Sequence, residues 1–166
     1  YGAMGISSSV RRPTLFDGPV GSLGLYPAAP YFSGKAVLQA PDTLMVDLMA
    51  GVDGYLADAT RTFAIGDIPG ETLRVHEILM QIEEDAQKRL VPGENGENLY
   101  RNALEQARAA GIEEGFMGFS ENRVRFLGHG VGLEIDEFPV LAMRFTEPFA
   151  AGMAVAVEPK HFAEFC

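Results

Sequence analysis

The sequence has no tryptophan and only one cysteine in 166 residues. That cysteine, Cys166, has no partner for an intrachain disulfide, and the expected setting is a reducing, cytoplasmic one. Basic side chains are sparse: 13 Lys and Arg stand against 23 Asp and Glu, for a formal charge of −10. Binding to phosphates needs a basic stripe, which argues against a nucleic acid or an anionic membrane as partner. No stretch approaches the ~20 apolar residues of a membrane span, and the opening YGAMGISSSVRR has no apolar core of signal-peptide length. Low-complexity tracts and internal repeats are also missing. What remains is 47% hydrophobic and 22% charged, the balance of a chain that folds, and its length suits one domain.

The first forty residues are rich in Gly, Pro and Ser and predict an irregular segment joining short extended pieces. TLMVDLM and YLADATRTFAI predict two strands around AGVDG, whose Asp53-Gly54 pair signals a tight hairpin turn. A helix is expected from near Pro69 to Glu71 until Pro92-Gly93, with Leu73, Ile78, Leu79, Ile82, Ala86 and Leu90 at helical spacing. A second, from about Glu97 to Ala110, should stop at Gly111. VRFLGHGVGLEI and GMAVAVEP read as later strands, separated by a loop around Glu147-Pro148. Hairpin, two helices, then strands predict an α+β domain with helices on one face of a mainly antiparallel sheet.

Two carboxylates interrupt the predicted hairpin. A turn at Val52-Asp53 would set Asp47 directly opposite Asp58; a turn at Asp53-Gly54 would make them diagonal neighbours on the same face. Either way they repel, unless they are solvated, share a proton or bind a cation. A wet sheet face is the plain alternative, so other ligands must decide. His129 lies between two glycines in LGHG, which leave room beside the imidazole. Glu158 follows AVAV, with small Ala154 and Ala156 on its own face, and burial without a partner would be costly for it. Together Asp47, Asp58, His129 and Glu158 suit a divalent Mn, Fe, Co or Zn ion.

VDLMAGVDGYLADATRTFAIG, GHGVGLEIDEFP and GMAVAVEP resemble, in order, three blocks of the pita-bread metallopeptidase family. That family includes methionine aminopeptidase, aminopeptidase P, prolidase and creatinase, and GHGVGLE followed by an acidic pair is most similar to its prolidase-like branch. The resemblance covers nearly the whole chain. It implies two divalent metal ions: Asp47 on one, Asp58 bridging both, and His129 and Glu158 on the second. It also implies a bridging water or hydroxide as nucleophile, a short peptide as substrate, and Glu158 as the catalytic group that carries the proton to the leaving amine.

Three departures from the family pattern stand out. Asp136 occupies the substrate-facing position seven residues after the metal histidine, where most of these peptidases carry a second histidine, and Pro30 occupies another such position. An ionised aspartate only accepts hydrogen bonds, which puts proline specificity and peptide hydrolysis in question. The family's second metal glutamate has no counterpart after Glu158, since Glu164 is too close. Residues 1–166 are therefore expected to be a partial catalytic domain, lacking C-terminal strands and a preceding N-terminal domain. Such a fragment should bind metal weakly or at one position, be inactive, and pair as a homodimer through its uncovered sheet edge. Creatinase-like chemistry on a small non-peptide substrate, or a non-catalytic binding module, are the alternatives.

Overall fold

The turn at Asp53-Gly54 organises the first half of the molecule. In the computed structural model, which describes residues 2–8, 37–118 and 123–162, these two residues take positive φ values of 53° and 88°. This is the mirror-image turn whose twist matches a two-residue hairpin. It joins β2 (Asp42–Val52) to β3 (Tyr55–Ile65) in a ladder running without interruption from Val52↔Tyr55 to Asp42↔Ile65. The backbone of β1 (Gly2–Ser8) runs antiparallel along the other side of β2, giving the order β1-β2-β3. Most of the Gly- and Pro-rich opening, including Pro30, lies outside the described residues.

Both predicted helices form. Pro69, extended at ψ 141°, leads into α1 (Gly70–Arg89), which carries Glu71 in its first turn and Lys88 and Arg89 in its last, charges that complement the helix dipole. It stops short of Pro92-Gly93. In α2 (Gly96–Ala109) the Asn95 side chain caps the Asn98 amide at 3.0 Å, and Gly111 follows with φ 75°. The two helices pack on each other, and the core joins Ile82 and Ala86 of α1, Leu99, Ala103 and Ala107 of α2, and Phe116.

Beneath them lies a second antiparallel sheet of β4 (Phe126–Gly130), β5 (Glu137–Ala142) and β6 (Val155–Val157), ordered β5-β4-β6. Leu127 and Leu141 carry it into the core. Two strands differ from those expected. The run VRFLGHGVGLEI is extended only as far as Gly130 and then bends through residues 132–136. A strand absent from that reading, β5, follows; its acidic start and Pro139 conceal it, and its place at the sheet edge tolerates a residue without an amide hydrogen. The α+β class and the antiparallel pairing stand as expected.

Candidate metal centre

The centre lies on the seam between the two sheets. The ladder sets Asp47 opposite Thr60 and Asp58 opposite Met49, so the two aspartates are diagonal neighbours on one face, the second of the two registers expected. At 5% exposure, Asp47 is the one buried residue of the hairpin strands. Thr60 Oγ1 donates to Asp47 Oδ1 at 2.8 Å, replacing water that burial removes. The Leu56 amide donates to the Gly132 carbonyl at 2.7 Å and so ties the start of β3 to the loop after β4. Asp58, two residues further on, is thereby brought against His129.

On the other sheet, His129 pairs with Ala156 of β6, and the Glu158 amide donates to the Leu127 carbonyl at 2.9 Å. His129 and Glu158 therefore project from the same face, with the small Ala156 between them. The glycines beside His129 do a different job from the one expected. A Cβ on Gly128 would come within 2.0 Å of the Ala156 carbonyl oxygen, and one on Gly130 within 2.3 Å of the Phe138 carbonyl oxygen. They admit the backbones of β6 and β5 rather than making space for the imidazole, which packs edge-to-face with the Phe126 ring at a centroid distance of 6.0 Å.

His129 Nδ1 lies 3.0 Å from the Gly130 carbonyl, an acceptor only, so Nδ1 bears the proton that it donates. Nε2 then faces Asp136 Oδ1 at 3.1 Å, Glu158 Oε1 at 3.5 Å and Asp58 Oδ2 at 3.7 Å. Three carboxylates crowded around one ring nitrogen are unfavourable without a proton or a cation among them. Asp58 registers the strain: burial first, then the charges of Asp47 and Glu158, push its pKa up to about 6, against an opposing pull from His129. A divalent cation is the group that removes all these repulsions together.

Asp58 and Glu158 thus meet at His129, Asp47 lies beside Asp58, and Asp136, expected to face substrate, joins them while 68% exposed. Yet no three His, Cys, Asp or Glu side chains among the described residues are assembled around a common point to hold a metal ion. Asp47 is turned to Thr60, and Glu158 Oε2 is held by Lys160 Nζ at 2.7 Å. The donor set fits a divalent ion in its chemistry; it is not a preformed cage.

Three residues at the centre escaped the sequence reading. Thr60 could have been found from the pleat, since it shares Asp58's face. Lys160, two residues after Glu158 in an extended segment, carried the same signal. Glu137 accepts from the Leu133 and Glu134 amides, both at 3.0 Å, and so closes the loop that presents Asp136; nothing local announced that. Of the other histidines, His76 is exposed on α1, and burial lowers the pKa of His161. Glu164 lies outside the described residues.

Two antiparallel sheets with helices on the second, and acids meeting a histidine on the seam, define the pita-bread architecture. The X-Pro aminopeptidase from Thermotoga maritima superposes with a TM-score of 0.78 at 28% identity, over 98% of this chain and 41% of that one. The prolidase from Pyrococcus furiosus gives 0.72 at 26% identity, over 80% and 37%. In sequence, the Xaa-Pro dipeptidase of Pyrococcus furiosus is 29% identical over 122 residues, covering 74% of this chain and 33% of that protein. The chain belongs to metallopeptidase family M24, whose profile matches residues 16–164. It spans about a third to two fifths of the length of these relatives.

Proposed function

We propose that the chain is the partial catalytic domain of a dinuclear metallopeptidase that acts as an Xaa-Pro dipeptidase or aminopeptidase. The observation that carries this reading is the convergence of Asp58, Asp136 and Glu158 on Nε2 of His129. Asp47, Asp58, His129 and Glu158 would hold two divalent ions, from among Mn, Co, Fe and Zn. When bound, such ions supply a water that ionises near neutral pH and stabilise developing negative charge on the substrate carbonyl. Thr60 orients Asp47, and the Gly130 carbonyl fixes the His129 tautomer. Glu158 would take the proton of the attacking water on Oε1, the oxygen turned toward the centre, and pass it to the amine nitrogen as the peptide C–N bond breaks. Asp136 lines the substrate side.

Because the chain spans only part of its relatives' length, peptide cleavage is assigned to the protein of that length. The 166 residues alone hold metal weakly or at one position and are inactive. The exposed apolar face of the hairpin, with Leu48, Val52, Tyr55 and Phe63, supports a homodimer. Among the described residues no helix is long and apolar enough to cross a membrane, and the single cysteine supports a cytoplasmic location. The test is a Mn-loaded protein of the relatives' length given Xaa-Pro dipeptides and short peptides. Cleavage that disappears in Asp58→Asn is expected. No cleavage of any peptide would favour the second reading, a small non-peptide substrate, which Asp136 in place of the family's histidine supports. For the 166-residue chain, plasma emission spectroscopy finding two tightly held ions would refute the weak-binding expectation.

A further inference from the structure

Lys160 is the residue at this centre that the peptidase reading leaves unused. Its ammonium sits 2.7 Å from Glu158 Oε2, and its side chain is only 16% exposed. By contrast Lys88, on α1, is 73% exposed and meets Glu84 at 3.5 Å, an ordinary surface pair. The backbone around Lys160 is sewn in place: its carbonyl accepts from the Met117 amide at 2.8 Å, and the Phe162 amide donates to the Gly115 carbonyl at 2.9 Å. The main chain therefore cannot carry Lys160 away from Glu158, although the flexible four-carbon stem can swing.

The charges make this contact consequential. Asp47, Asp58, Asp136 and Glu158 gather at the seam, and among the described residues Lys160 is the one Lys or Arg side chain in ion contact with them. It holds one oxygen of Glu158 while the other faces His129. A divalent ion taken up by Glu158 would meet a positive charge already in residence, and like charges at such range repel strongly.

We propose that Lys160 is an internal counter-cation of the acidic centre, which holds Glu158 Oε2 and is displaced from it when a divalent ion is taken up. This rests on the divalent-cation reading of the centre. Lys160 thus sets how tightly the chain binds metal: it keeps the acids compensated without an ion and weakens uptake when one arrives.

Mn(II) titration calorimetry on the 166-residue chain tests this with Lys160→Met, Lys160→Gln and Lys160→Arg, each checked for folding by circular dichroism. Removing one neighbouring charge should tighten Mn binding about tenfold in the Met and Gln variants, while Arg, which keeps the charge, stays near the wild type. Unchanged or weaker binding in Met and Gln would overturn the proposal alone. Absence of Mn uptake by every chain would overturn the expectation that these 166 residues hold a metal ion at all, and the proposal with it. A second measurement needs no variant: Mn should speed acylation of Lys160 by an amine-reactive ester, read by mass spectrometry against Lys88. An equal or slower rate for Lys160 with Mn present would overturn the displacement.

Discussion

The two sheets are held by different forces. β2 and β3 together bury one side chain, and it is a carboxylate, Asp47. The second sheet and the helices bury Leu127, Leu141, Leu99, Ile82 and Phe116 in one continuous core. Apolar burial therefore stabilises the half that carries His129, Asp136 and Glu158, whereas ladder and turn hold the half that carries Asp47 and Asp58. The site is thus assembled from a wall made rigid by apolar packing, which itself carries Asp136 and Glu158, and a hairpin that adds Asp47 and Asp58. The hairpin brings negative charge to a wall already lined with it.

Truncation in the wall should have the largest effect. Leu127→Ala removes a fully buried side chain one residue from Gly128 and should cost about 2 to 5 kcal/mol in urea unfolding. A loss under about 1 kcal/mol would break the contrast between the halves. Gly128→Ala comes next, at about 2 kcal/mol, because its Cβ would be forced toward the Ala156 carbonyl and would push β6 from β4. Unchanged unfolding would mean the strands sit further apart than described. Thr60→Val leaves buried Asp47 with one bond fewer and should cost about 1 to 2 kcal/mol, the largest effect expected from any exposed or half-buried hairpin position.

Asp58→Asn should act in the opposite direction. With its pKa raised from 3.8 to about 6, folded Asp58 binds its proton more tightly than the unfolded chain does. For this group the metal-free fold is most favoured below the unfolded value and loses that advantage as pH rises through about 6. The variant should therefore flatten the stability profile between about pH 4 and 6 and gain about 1 kcal/mol at pH 7, after discount for partial solvation. A variant with the wild-type profile would show that the aspartate pair is solvated. Leu48→Ala, on the exposed hairpin face, completes the comparison with a change under about 0.5 kcal/mol. In the 166-residue chain the same change should shift sedimentation toward monomer, because Leu48 lies on the face proposed to pair with a second copy, and an unchanged profile would break that pairing.

The parts of the fold legible in the sequence were those with local signals. Asp53-Gly54 announced the hairpin, and the apolar spacing with Gly111 announced the helices. β5 was illegible because its strand character comes from pairing along β4, while its own residues, Glu137 and Pro139 among them, speak against a strand. At the centre, period two placed Asp47 and Asp58 on one face but left the register open, and only the formed turn resolved it. His129 and Glu158 were found through their sequence blocks. Their distances to Asp58, and the part played by Glu137, depend on contacts between segments far apart in the chain.

Asp136 differs from its neighbours at the centre in being replaceable. Its loop is closed by Glu137 and held to β3 through Gly132, so the path of the chain there owes nothing to the aspartate side chain. His129, flanked by two glycines that admit two strands, has no such freedom. The residue at position 136 can thus be exchanged without rebuilding the frame that grips the histidine.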